Sequence, residues 1–330
     1  MSKKVVFSGL QPTGNLTLGN YLGAITNWVK MQDEYSCLFC LVDLHAITVP
    51  VDPKLLQENI ITNLAAYLAC GLDVEKSIIF NQSKVKEHSE LGWILGCNTP
   101  IGWLNRMTQF KDKAGSDQEK ASLGLYAYPV LMAADIMLYH ATHIPVGEDQ
   151  TQHIELARDV AGAFNRRYGV QYFTEPKAIV NKVATRIMSL QDGTKKMSKS
   201  DPSDLSRINI NDAPELIEKK IKKAKTDAIV GIHFDKTNRP EVSNLISIYA
   251  ALTDASIESV CDRFKNSNNA EFKRDLTEVL VAKLEPIQKK MHELLEDKAY
   301  LLDLLNKQGE KAAHIAAKTM KEVKEIVGFC

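Results

Sequence analysis

Lys195, Lys196 and Lys199 lie within a few residues of the hydroxyls of Ser198 and Ser200, after the turn-forming stretch Asp192-Gly193-Thr194. Cations and hydroxyl donors gathered on a loop suit the gripping of a polyphosphate. Met197 sits in their midst, a residue for which a purely solvated basic turn has no use. A second loop near the start of the chain, Gln11-Pro12-Thr13-Gly14 followed by Thr17-Leu18-Gly19-Asn20, runs from an apolar stretch into a helix. Backbone N–H groups and the positive helix end at such a crossover attract phosphate. Gly19 would let a flat base or ribose approach the backbone, although an ordinary glycine-rich turn has the same composition. Gly14 and Gly19 have P-loop spacing, but Asn20-Tyr21 stands where lysine and a hydroxyl are required. No G-x-G-x-x-G follows the first apolar run, so the dinucleotide signature is missing too.

Asp135 is the third chemically informative residue. It falls in the apolar run 131–138, where an unpaired carboxylate would be costly. It therefore needs a donor, either a structural partner such as an arginine or a helix end, or a ligand. Tyr128, Met132 and Asp135 are spaced i, i+4, i+7 and share one helical face, which offers a phenol, a pliable apolar wall and an acceptor.

The elements that must position these residues alternate. Val5-Val6-Phe7, 37–42, Ser77–Asn81 and His143–Val146 read as strands. Helices are expected over 18–33, from the N-cap Asp52 with Pro53 to Cys70 before Gly71, from Pro129, and over 150–168. That alternation is the pattern of an α/β unit with a parallel sheet. Residues 84–126 are less regular, with a polar loop at 111–120. Beyond about residue 195 only helices are expected, over 212–223 (with Asp212 and Glu215 as a capping box), 241–253, 257–264, and from 285 to near the end. Lys219, Lys220, Lys222 and Lys223 read as a solvated helix face.

Composition sets outer bounds. The 330 residues are 45% apolar and 25% charged, as in soluble globular proteins, and 41 basic residues balance 41 acidic ones. The slight basic excess beyond residue 180 permits a nucleic-acid partner without amounting to a basic footprint. No leader and no spanning segment is expected, which points to the cytoplasm. Cys37 and Cys40 form a C-x-x-C within a strand and point to opposite faces, so they read as small buried hydrophobes.

Taken together, the two loops resemble those of a known family. Thr17-Leu18-Gly19-Asn20 is similar to the HIGH motif of class I aminoacyl-tRNA synthetases, and Lys196-Met197-Ser198-Lys199-Ser200 matches their KMSKS motif letter for letter. Order and separation fit as well. Thr17 and Asn20 replace both histidines, a variant usual in the tryptophanyl branch, which weakens the case for imidazoles in the phosphate chemistry of this chain. Val146-Gly147-Glu148-Asp149-Gln150 with Gln152-His153-Ile154-Glu155-Leu156, Tyr128-Pro129-Val130-Leu131-Met132-Ala133-Ala134-Asp135, Asp43-Leu44-His45-Ala46-Ile47-Thr48 and Met107-Thr108-Gln109-Phe110-Lys111 are also similar to that branch, in its bacterial form. The resemblance spans essentially the whole chain.

The resemblance implies an α/β, Rossmann-like parallel-sheet catalytic domain over 1–195. It implies a helical C-terminal, anticodon-binding domain over 196–330 that carries the KMSKS loop, and the last helix is free to pack back on the first domain. It implies ATP with Mg²⁺, L-tryptophan and tRNA(Trp) as reactants, a homodimer, and no metal ligated by protein. Lys196 and Lys199, with Lys113 as a third, would neutralise the leaving pyrophosphate. Gln11, Pro12, Thr13, Gly19, Asn20, Gly147, Glu148, Asp149, Ile187, Met197, Ser198 and Ser200 would complete the ATP site, with Asp149 at the ribose and Ile187 at the adenine. Asp135 would accept from the indole N–H, with Tyr128, Met132, Gln150, His45 and Phe7 around the amino acid; His45 and Phe7 are equally suited to the core. A site that bonds a substrate N–H can reject an analogue lacking it by roughly 10⁴–10⁵, which makes an editing domain unnecessary. A tyrosyl relative, a small-molecule adenylyltransferase without tRNA and a non-catalytic homologue are the competing readings. The indole-suited Asp135 face, the helical last third and the retained Gln11, Lys196 and Lys199 argue against them in turn.

Overall fold

The computed structural model describes residues 4–107, 121–147, 151–180 and 186–329. Five parallel strands, β1 (Val5–Leu10), β2 (Ser36–Leu41), β3 (Ser77–Asn81), β4 (His143–Val146) and β5 (Lys177–Val180), form one sheet in the order β3-β2-β1-β4-β5. Both faces of the sheet are covered, so the strands are apolar nearly throughout rather than alternating. Val6, Cys37, Phe39 and Leu41 enter one core cluster, and Phe7, Leu38, Cys40 and Phe80 enter the other. Cys37 and Cys40 thus lie on opposite faces of β2, as their spacing requires. The strand β5 is an addition to the sequence expectation: it is a short edge strand that follows Pro176 and contributes only Lys177-Ala178-Ile179-Val180.

The first crossover begins at Leu18–Asn20, passes through a π-helical segment Tyr21–Ile25 and continues as Thr26–Met31. Asp52 caps the helix Pro53–Ala69 by accepting from the Leu55 N–H at 2.9 Å, and Gly71 leaves it with φ +106°. The next long helix corrects the expected start at Pro129. It runs Leu123–Leu138 from the N-cap Ser122, with Pro129 inside it. Residues 84–126 are also more regular than expected, with helices Glu87–Gly96 and Ile101–Leu104.

The last third is helical: Pro214–Lys223, Pro240–Thr253, Ile257–Phe264, Asn269–Glu296 and Lys298–Val327. The 28-residue helix Asn269–Glu296 was legible only from residue 285 on; its real start is a capping box between Asn268 and Glu271. The capping box expected of Asp212 and Glu215 does not form. Ala213 is the N-cap, and the Asp212 carboxylate turns inward to Asn209 and Lys220. Lys220 is wholly buried, so the lysines of this helix are not one solvated face.

The first core cluster is continuous between sheet and helices: Val6, Trp28 and Phe39 share it with Ile217, Ile246, Leu276 and Leu280. The second lies on the other face and includes Ala312, Ala316, Met320 and Val323 of the last helix. No helix among the described residues is long and apolar enough to cross a membrane.

Candidate active site

The strand order reverses between β1 and β4, which makes the crevice beyond their carboxyl ends the natural ligand position of this sheet. Gln11 leaves β1 there, and Gly147 leaves β4. Gly14 turns the first loop with φ +78°, a conformation that favours glycine, and its carbonyl accepts from Asn63 Nδ2 at 3.1 Å. Thr17 then caps the helix reciprocally. Asn20 N–H donates to Thr17 Oγ1 at 3.3 Å, and Asn20 Oδ1 accepts from the Thr17 N–H and hydroxyl at 3.0 Å each. The residue standing in for the second histidine of the HIGH motif therefore builds the turn. Leu18 N–H donates to the Ile208 carbonyl at 2.7 Å and Ile210 N–H to the Leu16 carbonyl at 2.9 Å, so the loop is stitched to the segment just past the second loop.

The second loop is a tight return. Met188 bridges Lys196, and Met197 N–H donates to the Ile187 carbonyl at 3.0 Å. Met197 is buried, and this explains its presence in a basic turn. A Cβ placed on Gly19 would lie 3.6 Å from Met197 Cβ and 3.7 Å from Ile187 Cβ. Met197 and Ile187 thus dock the second loop against Gly19 of the first. Lys196, Ser198 and Ser200 face outward, with the Ser198 and Ser200 hydroxyls 2.9 Å apart. Lys199 is half-buried and donates to the Gln11 carbonyl at 3.3 Å, and burial lowers its pKa to about 8. The base of the loop is Gly193, where a Cβ would meet the Glu241 amide nitrogen at 2.5 Å.

Asp135, 1% exposed, has the donors its burial demands. Oδ2 accepts from His45 Nε2 at 2.8 Å; Oδ1 accepts from Gln82 Nε2 at 2.7 Å and His88 Nδ1 at 2.6 Å. Burial alone would raise the carboxyl pKa, but the two histidines outweigh it and hold the group at about 2. An ionised Asp135 only accepts, so both ring nitrogens facing it carry protons. His88 Nε2 meets the Tyr139 hydroxyl at 2.8 Å, and Tyr139 stacks on Phe7 with centroids 5.7 Å apart. His45 lies just past β2, in the single turn Asp43–Ala46.

Tyr128 is buried and its hydroxyl meets His153 Nε2 at 2.9 Å; burial raises its pKa to about 12. Met132 is partly buried against the second core cluster. The fold thus gathers Gln11, Gly19, Asn20, Ile187, Met197 and Lys199 at one interface of two loops, and His45 and Asp135 in one buried network. Lys113, Glu148, Asp149 and Gln150 lie outside the described residues. Gln82 and His88 are missing from the residues legible in sequence. His88 stands in the polar run Lys86-Glu87-His88-Ser89-Glu90, which reads as solvated, and nothing local marks Gln82. A cleft lined by Val5, Ser36, Ser77 and Lys311 opens at the other, amino end of the strands, and of these groups only Tyr139 lines it.

Residues 2–285 match the family model of class I tRNA synthetases (W and Y). The chain is 57% identical over 327 residues to a tryptophan–tRNA ligase of Rickettsia conorii, covering 99% of each chain. Its structure is similar to that of a tryptophanyl-tRNA synthetase of Mycoplasma pneumoniae, with a TM-score of 0.89 at 34% identity, covering 99% of this chain and 98% of that one. It is likewise similar to a Campylobacter jejuni tryptophanyl-tRNA synthetase complexed with ADP and tryptophan, with a TM-score of 0.84 at 36% identity over 98% and 99% of the two chains.

Proposed function

This chain belongs to the class I tRNA synthetases for tryptophan and tyrosine, and from that premise we propose how its two loops and the Asp135 network divide the work. It is an aminoacyl-tRNA ligase that uses tryptophan: it activates L-tryptophan with ATP to tryptophanyl-adenylate and pyrophosphate, then transfers tryptophan to the 3′ end of its tRNA. The attacking carboxylate is ionised at neutral pH, so activation needs no general base. Its oxygen bonds to the α-phosphorus as the bond to pyrophosphate breaks. What the protein must supply is alignment and compensation of the charge gathering on the leaving group.

The observation that carries this reading is the Lys199 ammonium at 3.3 Å from the Gln11 carbonyl, which brings both phosphate-suited loops to one edge of the sheet. Lys196 and Lys199 are the cations at the leaving pyrophosphate, joined by Lys113. Gln11, Pro12 and Thr13 face the phosphates, with Gly19 and Asn20 beneath the nucleotide; Met197, Ser198 and Ser200 complete the second loop. Gly147, Glu148 and Asp149 serve the ribose, and Ile187 the adenine. The site side chains of the second loop offer ammonium and hydroxyl groups rather than carboxylates, so Mg²⁺ fits best as part of the nucleotide substrate.

An ionised carboxylate has about four acceptor positions. His45, Gln82 and His88 take three at Asp135, and the remaining one, on Oδ2, is assigned to the indole N–H. Tyr128, Met132 and Phe7 wall the ring, and Gln150 binds the amino-acid backbone. The helical part takes the anticodon end of the tRNA. The second copy of a homodimer covers Trp93, Ile101 and Leu123, large apolar residues on three neighbouring helices that are 76%, 69% and 79% exposed. ATP and tRNA place the work in the cytoplasm. The deciding experiment is amino-acid-dependent ATP–pyrophosphate exchange with tryptophan and tyrosine separately. Exchange with tryptophan alone is expected; exchange with tyrosine moves the chain to the sister branch, and exchange with neither overturns the activation reading.

A further inference from the structure

We propose that Asn244 and Lys220, both in the helical part, are positioning residues that hold the two stems of the 196–200 loop in register with the first loop. The inference rests on the reading of that loop as the pyrophosphate grip. Neither residue belongs to the loops themselves; each acts through the backbone or side chain of a neighbour.

On the upstream stem, Asn244 is buried and uses its side-chain amide as a strand would use its backbone. Its Oδ1 accepts from the Met188 N–H at 2.8 Å, and its Nδ2 donates to the Met188 carbonyl at 2.9 Å. Met188 in turn bridges Lys196, and the preceding Ile187 carbonyl receives the Met197 N–H. The first lysine of the loop therefore sits opposite the residue whose backbone a single side chain of the Pro240–Thr253 helix holds.

On the downstream stem, the Lys220 ammonium is 0% exposed and lies between two carboxylates, 2.8 Å from Asp204 Oδ2 and 2.6 Å from Asp212 Oδ2. Asp212 accepts from Asn209 twice, from its N–H at 2.8 Å and its Nδ2 at 3.1 Å. Asn209 is the residue bridged to Thr17, the cap of the first loop. A fully buried cation is a poor way to gain stability, because its desolvation offsets much of the attraction. Here it fixes geometry. It ties Asp204, shortly past the loop, and Asp212, just before the next helix, to one point, and Asn209 carries that point to the first loop. Charge compensation of a leaving group depends on cation placement, and a misplacement of about 1 Å can cost on the order of 10²-fold. Fixed stems let the lysines move without losing register.

The test uses the full chain with Asn244→Ala, Lys220→Met and the conservative Lys220→Arg. Three readouts are needed: the ATP KM and kcat in tryptophan-dependent exchange, tryptophan affinity without ATP by calorimetry, and the rate of trypsin cleavage after Lys195 and Lys196. The expected result is a kcat lowered about tenfold or more, with the ATP KM raised as well. Tryptophan affinity stays at its wild-type value, trypsin cuts the loop faster, and Lys220→Arg recovers at least part of the loss. Should Lys220→Met fail to fold, Asn244→Ala, which leaves no buried charge behind, carries the test. A folded Asn244→Ala with wild-type kcat, ATP KM and loop protection overturns the proposal. So does an equal weakening of both substrates, or loss of fold in both variants, which would make the residues general supports. Absence of exchange in the wild type would instead sink the functional reading, while the trypsin comparison still reports on the stems.

Discussion

The Lys199 ammonium rests 3.3 Å from the backbone carbonyl of Gln11, a contact across 188 positions of sequence that closes the two phosphate-suited loops on each other. Burial lowers the Lys199 pKa to about 8, so the side chain loses its charge as pH rises through that value. Exchange activity should therefore fall with a single-proton limb near pH 8. Lys199→Arg, charged at all working pH, should remove the limb, and Lys199→Met should cost roughly 10²-fold or more in kcat. The pH–rate profile of the three proteins decides this. The stability sign is opposite. The folded pKa lies below the unfolded one, so the ammonium costs stability at neutral pH and the cost is relieved as pH rises from about 8 toward the ordinary lysine value. Lys199→Met should thus be no less stable than the wild type at pH 7 in urea unfolding.

Asp135 tests the amino-acid side. Asp135→Ala leaves His45, Gln82 and His88 without their common acceptor and should destabilise the fold by about 3–5 kcal/mol. Asp135→Asn should keep more of the fold yet lose discrimination against a benzothiophene analogue of tryptophan, which has no N–H to donate. Competition in pyrophosphate exchange measures that ratio. The folded Asp135 pKa of about 2 lies below the ordinary carboxyl value of 3.8, so its stabilisation is present above about pH 4 and is lost as pH falls through about 2. Acid unfolding of Asp135→Asn should be correspondingly less steep in that window.

Two glycine replacements should separate packing from ligand space. At Gly193 a Cβ would meet backbone atoms of Pro240 and Glu241 at 2.5 Å, so Gly193→Ala must shift the loop base and should cost about 1–3 kcal/mol, with a raised ATP KM. At Gly19 a Cβ would find its neighbours no nearer than 3.5 Å, so Gly19→Ala should melt near the wild-type temperature. With Gly19 beneath the nucleotide, as proposed, the added methyl between the loops should nevertheless weaken ATP binding. Calorimetric melting beside ATP titration gives both results.

The exposed Trp93 should be a centre of the dimer contact. Trp93→Ala should weaken self-association by 2 kcal/mol or more, roughly 30-fold in Kd. Light scattering over a dilution series follows it, and an unchanged dimer would move the interface elsewhere.

Much of this molecule is legible in its residues, and the failures have physical reasons. Strands β1 to β4 announce themselves because burial on both faces leaves short, nearly unbroken apolar runs. The edge strand β5 is four residues, and its Ala178-Ile179-Val180 run after Pro176 reads equally as part of a connection. Pro129 looks like a helix start because proline favours first turns; here it follows the Ser122 cap by nearly two turns, inside the helix. Lys220 reads as solvated because its two carboxylate partners are not its helical neighbours, and only the tertiary fold brings Asp204 and Asp212 to it. The loops of the site were legible as motifs. Of the supports of Asp135 only His45 was legible; His88 stands in a locally polar run, and Gln82, in the turn after β3, carries no local mark.

The ladder that joins residues 16–18 to residues 208–210 sets the order in which the protein becomes competent during its own synthesis. Domains emerge amino end first, yet the first loop acquires its partner segment only after about two-thirds of the chain has left the ribosome. Until then a nascent chain holds half of a nucleotide grip, with Leu16 and Leu18 uncovered and Gly19 facing nothing. A chain ending before residue 208 therefore lacks the segment to which Leu16 and Leu18 are hydrogen-bonded.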